Sequence, residues 1–227
     1  MTLAVISGAS RGVGRAVAHS LAARGVELAL FSRPSRALDE TIDSLLVHGG
    51  KVRHYAVDLE DRTSIRRASH ELLGESGAPD VLVHNAGIVE RAPVATLTDE
   101  VWDRHFAVNL TAPFLLTRAL LPAMLERRTG RILFVSSISA VLGSPTQSAY
   151  NATKAGLVSF MRCLAEELKD TGLLTAAVLP GAIDTDMLVG SGYPPRMSAA
   201  EVARTLTFLA LDAGPGQSGS ALEMFGV

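Results

Sequence analysis

The chain has 227 residues, 48% of them hydrophobic and 19% charged, with a formal net charge of −2. This composition is typical of a folded globular protein, and the near-neutral charge does not favour binding to nucleic acid or to an anionic membrane surface. The single cysteine, Cys163, excludes an intramolecular disulfide and a cysteine-based metal site, and we expect no metal. The amino terminus has no secretory-signal pattern and no uninterrupted apolar run is long enough to span a bilayer. We therefore expect a cytoplasmic protein.

Short apolar runs alternate with longer amphipathic stretches along the chain. The runs at residues 3–7, 27–32, 52–57, 81–84, 131–136, 174–179 and 220–225 are continuous, as is typical of strands covered on both faces. Helices are predicted at residues 12–24, 35–48, 63–75, 98–127, 148–170 and 199–211. This order predicts an α/β fold, a doubly wound Rossmann-type sheet of seven parallel strands with helices on both faces, in a single domain covering residues 1–227. Pro113 and Pro122 predict a bend or break in the fourth helix.

A glycine-rich turn follows the first predicted strand and opens the first helix. It has the spacing G-x3-G-x-G and reads Gly8-Ala9-Ser10-Arg11-Gly12-Val13-Gly14. Glycines allow a tight turn and let a pyrophosphate approach the free N–H groups of a helix N-terminus. Surface turns use the same residues, but the first βα junction of an alternating chain is where dinucleotide folds hold phosphates. The turn therefore predicts a dinucleotide site.

The residue after the second predicted strand bears on the choice of dinucleotide. An acid there would bind the adenosine ribose hydroxyls of NAD, whereas this chain has Arg33. Arg33 and Arg11 together suit a 2′-phosphate, and the alternative is that both are solvated surface arginines. We favour NADP.

The ends of the third and fourth strands supply further candidates. Asp58 is a candidate for the adenine amino group, or alternatively the N-cap of the following helix. Asn85, Ala86 and Gly87 follow the fourth strand, and small residues there allow close approach of a cofactor ribose.

A candidate catalytic group lies near the start of the fifth predicted helix. Tyr150 and Lys154 are four residues apart and share one helix face, where a lysine ammonium and a positive nicotinamide ring would favour tyrosinate. Ser137 ends the fifth strand, but Ser136 and Ser139 are equally placed by chemistry alone. Spacing alone makes Asn109 an ordinary polar helix residue.

At these residues the sequence closely resembles the classical short-chain dehydrogenase/reductase family, and within it the 3-oxoacyl-acyl-carrier-protein reductases. The matching segments, in family order and spacing, are residues 7–14, 84–87, 109, 137, 150–154 and 180–185. The resemblance implies a catalytic tetrad of Asn109, Ser137, Tyr150 and Lys154. It also implies cofactor contacts from Leu59, Pro180, Gly181, Ile183 and Thr185.

The implied reaction is hydride transfer between NADP(H) and a carbonyl or secondary alcohol carbon. Ser137 would hold the carbonyl oxygen, Tyr150 would donate the proton, Lys154 would bind the nicotinamide ribose, and the main chain of Asn109 would hold a water. A carbonyl or 3-oxoacyl thioester is the expected substrate. The alternatives are dehydrogenation of a sugar, steroid or small alcohol, or a non-catalytic dinucleotide sensor.

Three departures from the family pattern concern substrates and partners. Only residues 186–198 separate Thr185 from the next helix, where the family usually carries a longer substrate lid, and the usual C-terminal tail is absent. Arg128 matches one basic position used for an acyl carrier protein, but Thr171 stands at the second. The resemblance also implies a homotetramer or homodimer.

Overall fold

A single parallel sheet organises the protein. The computed structural model describes residues 2–226, and its seven strands lie in the order β3-β2-β1-β4-β5-β6-β7. Their bounds are β1 Leu3–Ser7, β2 Glu27–Ser32, β3 Val52–Ala56, β4 Val81–His84, β5 Gly130–Val135, β6 Leu173–Pro180 and β7 Ala221–Met224. The order reverses between β1 and β4, so a crevice opens there beyond the carboxyl ends of the strands. The predicted fold class is confirmed.

Helices cover both faces of the sheet. Their bounds are α1 Gly12–Ala22, α2 Arg36–Val47, α3 Arg62–Ser76, α4 Asp99–Phe106, α5 Ala112–Arg127, α6 Ser148–Glu167 and α7 Ala199–Leu211. Apolar side chains of α1, α2 and α7 bury one face of the sheet, and those of α3, α5 and α6 bury the other. Two apolar layers therefore fix the carboxyl ends of the strands, from which the site residues extend.

The long helix predicted over residues 98–127 is interrupted. A π-helical turn, Ala107–Thr111, joins α4 to α5 directly before Pro113, whereas Pro122 lies inside α5. Pro113 has no N–H to donate, so the carbonyl of Asn109 lacks its ordinary helical partner. The 29-residue stretch Asp99–Arg127 is long and apolar enough to cross a membrane by length and composition, but half of its most apolar window is buried inside the fold.

Helix α6 is apolar on more than one side. Leu157, Val158, Met161 and Leu164 are buried within the protomer, in the same apolar layer as α3 and α5. Phe160 stays partly exposed and packs edge-on against Phe114 of α5, with 6.0 Å between the ring centroids.

Candidate active site

The glycine-rich loop lies in the crevice between β1 and β4. Gly8 has φ +70°, and a Cβ on it would lie 2.8 Å from the Cα of Ala86. A Cβ on Gly14 would lie 2.2 Å from the carbonyl oxygen of Gly8. Both positions therefore require glycine, because the backbone of the loop is closed on itself and on the end of β4.

Side chains at the ends of β1 and β4 hold this loop. The Asn85 amide donates to the carbonyl oxygens of Ser7 (3.0 Å) and Gly8 (2.9 Å). The Ser7 hydroxyl accepts the N–H groups of Asn85 and Ala86, each at 3.1 Å. Asn85 thus positions the loop through its side chain, a role that its sequence position alone does not reveal.

The N-terminus of α1 is arranged to receive an anion. Its N-cap is Arg11, whose side chain makes no capping hydrogen bond, and no acid occupies the first turn. The first N–H groups of a helix carry partial positive charge and have no helical acceptor. The loop from Gly8 to Gly14, with Ser10 and the buried Val13 between them, therefore fits a dinucleotide pyrophosphate.

The part of the crevice that we expect to bind the adenosine of the cofactor lies at the carboxyl ends of β2 and β3. Arg33 is exposed there and makes no ion pair within residues 2–226, so its guanidinium is open to a phosphate. Arg11 forms an exposed ion pair with Asp186, 3.4 Å apart.

Asp58 and Leu59 follow β3 at the same edge. The N-cap interpretation of Asp58 is wrong: Asp61 caps α3 by accepting the Thr63 N–H at 2.7 Å. Asp58 instead accepts the N–H of Glu60 in a local turn, at 2.9 Å. Its carboxylate has a second oxygen for an adenine amino group.

Ser137 and Tyr150 meet where β5 and α6 adjoin. Tyr150 is buried in the first turn of α6, where burial raises the pKa of its phenol and the Ser137 side chain lowers it by a smaller amount. The Ser137 hydroxyl also donates to the Pro180 carbonyl, at 3.5 Å. The neighbouring Ser136 donates instead to the backbone carbonyl of Lys154, at 2.9 Å. The two serines therefore have different roles: Ser136 is hydrogen-bonded to the backbone of α6, and Ser137 faces the tyrosine.

Lys154 is buried beneath this pair. Its Nζ donates to the carbonyl oxygen of Val135 at 2.9 Å and lies 5.6 Å from the centroid of the Tyr150 ring. Burial lowers the pKa of Lys154 to about 8. A Cβ on Gly87 would lie 3.3 Å from this Nζ, so Gly87 provides the space in which the ammonium lies.

That Lys154 and a bound nicotinamide ring together favour tyrosinate at Tyr150 stays a prediction. Burial raises the pKa of Tyr150 above its ordinary value, against smaller lowering effects from Ser137 and from the positive charge of Arg91. The hydrogen bond that Lys154 Nζ donates goes to the Val135 carbonyl. The phenol therefore holds its proton at neutral pH.

Asn109 is fully buried in the π-helical turn, so its interpretation as an ordinary polar helix residue is wrong. Its Oδ1 accepts the Ile88 N–H at 2.8 Å, and its Nδ2 donates to the Ile88 carbonyl at 3.0 Å and to the Thr153 hydroxyl at 3.1 Å. The side chain thereby connects the segment after β4 to α6. Pro113, four residues after Asn109, has no N–H, so the main-chain carbonyl of Asn109 has no ordinary α-helical donor.

The residues that we expect to contact the nicotinamide of the cofactor follow β6. Pro180 ends that strand, and the Gly181 N–H donates to the Met224 carbonyl at 2.8 Å. Ile183 forms a parallel bridge with Met197. Thr185 lies against the glycine-rich loop, since a Cβ on Gly12 would be 3.3 Å from its methyl group. The segment after β6 therefore lies against the glycine-rich loop at Thr185.

Residues 2–192 match the family model for short chain dehydrogenases. The chain belongs to the short-chain dehydrogenase/reductase family. A 3-oxoacyl-[acyl-carrier-protein] reductase of Escherichia coli is 32% identical over 236 residues, covering 99% of this chain and 96% of that protein. The corresponding reductase of Synechocystis is 33% identical over 220 residues, covering 92% and 89%. A short chain dehydrogenase of Pseudocercospora fijiensis is 36% identical over 186 residues, or 81% of this chain and 60% of that protein.

One solved structure is similar over nearly the whole chain. It is a protein from Beutenbergia cavernae assigned as an NAD(P)-dependent gluconate 5-dehydrogenase, crystallised with NADP at low occupancy. Its TM-score is 0.90 at 29% identity, covering 98% of this chain and 94% of that one. Together with the family match, this confirms the expectation of an NADP(H)-dependent oxidoreductase.

Two arginine side chains, one on each side, form hydrogen bonds with the short lid of this dehydrogenase/reductase. We call residues 186–198 the lid segment; it begins with a 3₁₀ turn, Asp186–Leu188. Arg11 reaches Asp186, while Arg91 donates to the carbonyl oxygens of Val189 (3.2 Å) and Met187 (3.1 Å). Gly190 and Gly192 both have positive φ, and nothing lies within 4 Å of a Cβ placed on either.

Sequence reasoning did not identify Arg91. It lies in a polar loop six residues beyond Asn85, where an arginine looks like an ordinary solvated side chain. The only sequence signal is its position shortly after the carboxyl end of a central strand, the edge at which ligands bind in open α/β sheets.

Proposed function

We propose that this short-chain dehydrogenase/reductase reduces a carbonyl compound with NADPH, with Tyr150 as the proton donor. The observation that carries the proposal is the buried Tyr150 beside Ser137 and above Lys154, at the carboxyl edge where the glycine-rich loop opens. A non-catalytic sensor would have no need of this arrangement.

Each residue has a distinct task in this proposal. NADPH, when bound, supplies the hydride that reduces the carbonyl carbon. The Ser137 hydroxyl donates a hydrogen bond to the carbonyl oxygen and fixes its position. Tyr150 then gives its phenolic proton to that oxygen. Lys154, whose Nζ lies 5.6 Å from the centroid of the Tyr150 ring, would bind the nicotinamide ribose, and with the bound nicotinamide it would supply positive charge near the tyrosinate that is left.

The free protein holds Tyr150 in the protonation state that reduction uses. Reduction needs a phenol that holds a proton, whereas oxidation of an alcohol needs tyrosinate as a base. Burial raises the pKa of Tyr150, so the phenol form dominates at neutral pH before any cofactor charge is added. The protein's own electrostatics therefore support the reducing direction.

The bacterial relatives suggest a 3-oxoacyl thioester as the substrate. Arg128 and Thr171, the positions compared with carrier-protein contacts, line a depression of about 1000 Å³. That depression also contains Arg131, Arg162 and Lys169, but it lies at the amino ends of β5 and β6. Along α6, Tyr150 lies about 18–24 Å from the helix residues that line the depression, at 1.5 Å per residue. An acyl carrier protein bound there would face away from the Tyr150 of the same protomer.

A second candidate is the NADP-linked oxidation of a sugar acid. The structural neighbour from Beutenbergia cavernae, assigned as a gluconate 5-dehydrogenase, favours it. This reaction would use the same serine, tyrosine and lysine in the opposite direction.

We also propose that the protein is a cytoplasmic homo-oligomer, a tetramer or a dimer. The protomer leaves Trp102, Phe114 and Phe208 more than a third exposed. Exposed aromatic side chains of this size on helix faces are typical of subunit interfaces.

The test is a screen of NADPH oxidation by the purified protein. The substrates are 3-oxoacyl thioesters, diketones, quinones and keto sugars, with gluconate and NADP⁺ as the reverse reaction. We expect turnover of at least one carbonyl class. Absence of hydride transfer in every arm, with NADPH bound, would contradict the proposal.

A further inference from the structure

Arg91 is held in place beside the reacting groups. The neighbouring Glu90 N–H donates to Nε2 of His105 at 3.0 Å, and the Ala92 N–H donates to the Thr146 carbonyl at 2.9 Å. Thr146 lies four residues before Tyr150, in the loop that leads into α6. The backbone on both sides of Arg91 is therefore fixed, and the arginine lies at the rim of the crevice that contains Tyr150.

The Arg91 guanidinium crosses from this rim to the lid segment. It donates to the backbone carbonyl oxygens of Met187 and Val189, at 3.1 and 3.2 Å. Two of its five N–H groups are used in this way. Its Nε is buried and has no hydrogen-bond partner among residues 2–226. One N–H on each terminal nitrogen, together with the shielded Nε–H, therefore makes no hydrogen bond within the described residues.

Arg91 also lacks a counter-ion. None of the seven ion pairs formed within the described part of the chain includes it, and its two partners are neutral carbonyls. A half-buried guanidinium with an unpaired, buried Nε is unfavourable unless an anion completes its shell. By contrast, Arg11 at the other end of the lid segment already has Asp186 as its partner.

The charge of Arg91 acts on the reacting phenol. It lowers the pKa of Tyr150, although the larger effect of burial still leaves that pKa raised. The Ala92 N–H donates to the carbonyl of Thr146, four residues before Tyr150, so the backbone at Arg91 lies beside the segment that leads into the phenol. The guanidinium connects this segment to the lid segment.

We propose that Arg91 binds a carboxylate of the substrate, placed a few bonds from the reacting carbonyl, so that the enzyme selects oxo acids over neutral ketones. A guanidinium binds a carboxylate through two parallel N–H bonds, which fixes orientation as well as charge. This inference rests on the proposed carbonyl reduction and adds the substrate class. The competing interpretation is that Arg91 only fastens the lid segment.

The experiment compares an oxo acid with its methyl ester, which has the same carbon skeleton without the charge. We use 3-oxo acids of two chain lengths and the matching esters, and measure kcat/KM with NADPH. The variants are Arg91→Met, Arg91→Lys and, as a matched control, Arg24→Met. Arg24 pairs with Asp212 on the exposed surface, so its loss removes one positive charge outside the crevice.

The wild type should prefer each acid over its ester, and Arg91→Met should lower kcat/KM for the acid by on the order of 10–100-fold. The ester should change less than about 3-fold. Arg91→Lys should recover part of the kcat/KM for the acid, because lysine keeps the positive charge but cannot donate two parallel hydrogen bonds. Arg24→Met should keep the wild-type preference. An equal loss for acid and ester in Arg91→Met would show that Arg91 only holds the lid segment, and would overturn the proposal.

A second measurement does not depend on turnover. Acid and ester are each titrated calorimetrically into the enzyme saturated with NADP⁺. The acid should bind more tightly than the ester to wild type, and the difference should disappear in Arg91→Met. Equal binding of acid and ester to wild type overturns the Arg91 assignment even if a neutral ketone is reduced. If acids bind through Arg91 but no carbonyl compound is reduced, the proposed function fails and the carboxylate site stands.

Discussion

Replacing Asn109 by alanine should destabilise the protein far more than an ordinary surface change. The side chain makes three hydrogen bonds, at 2.8 and 3.0 Å to Ile88 and at 3.1 Å to Thr153, and it is fully buried. A protein hydrogen bond contributes about 1 kcal/mol net, and a buried polar group left without a partner costs about 1–3 kcal/mol more. Asn109→Ala should therefore lower the free energy of unfolding by roughly 4–6 kcal/mol.

The assay is urea unfolding at one fixed protein concentration, followed by circular dichroism. Asn151→Ala is the matched control, because the Asn151 amide makes a single exposed hydrogen bond, at 2.9 Å to the Leu142 carbonyl. The control should lose less than about 1 kcal/mol. If the two variants lose the same free energy, Asn109 is not the connection between the segment after β4 and α6, and the reasoning is refuted.

Three further predictions concern the cofactor, pH and assembly. Arg33→Asp should erase or reverse a preference for NADPH over NADH in fluorescence titrations, because it replaces an open guanidinium with a charge that repels the 2′-phosphate; equal wild-type affinity for both cofactors would contradict this. Burial lowers the pKa of His84 from 6.5 to about 3, so the unfolded chain binds a proton below pH 6.5 that the folded protein does not. The free energy of unfolding should therefore fall as the pH drops below 6.5, and His84 alone should account for a loss of about 2 kcal/mol between pH 7 and pH 5. In urea unfolding at these two pH values, His84→Asn should lack that part of the loss. Light scattering at micromolar concentration should show a homo-oligomer, and a monomer would refute the proposed assembly.

The alternation of apolar runs and amphipathic stretches was sufficient to predict the α/β fold. Strands covered on both faces appear as continuous apolar runs, and the first and fourth strands have the predicted bounds, Leu3–Ser7 and Val81–His84. The second strand, Glu27–Ser32, and the last helix, Ala199–Leu211, also have the predicted bounds. The ends of most other elements differ by one to three residues, because caps and turns rather than apolar patterns fix them. Helix α6, for example, ends at Glu167 rather than at residue 170.

The site was less accessible to sequence reasoning where it depends on contacts between distant segments. The glycine-rich loop is a local pattern that the resemblance made specific. The burial of Asn109 depends on the π-helical turn and on Ile88, which apolar periodicity does not reveal. Arg91 meets the lid segment across 96 and 98 residues, so nothing near it in the sequence marks it. The effect of burial on the Tyr150 pKa likewise requires the packed fold.

The measurement that tests the account most directly is single-turnover reduction by Tyr150→Phe, with a carbonyl substrate from the screen and saturating NADPH. The substitution removes the phenolic proton and little volume, so NADPH binding should remain within a few-fold of wild type. The rate of hydride transfer should fall on the order of 10²–10⁴-fold, the usual contribution of a general acid. The control is Tyr55→Phe. Tyr55 lies on the outer strand β3, and its hydroxyl donates to Glu75 of α3, so this variant should keep the wild-type rate. Near-wild-type turnover by Tyr150→Phe would mean that another group supplies the proton, and the central claim would be wrong.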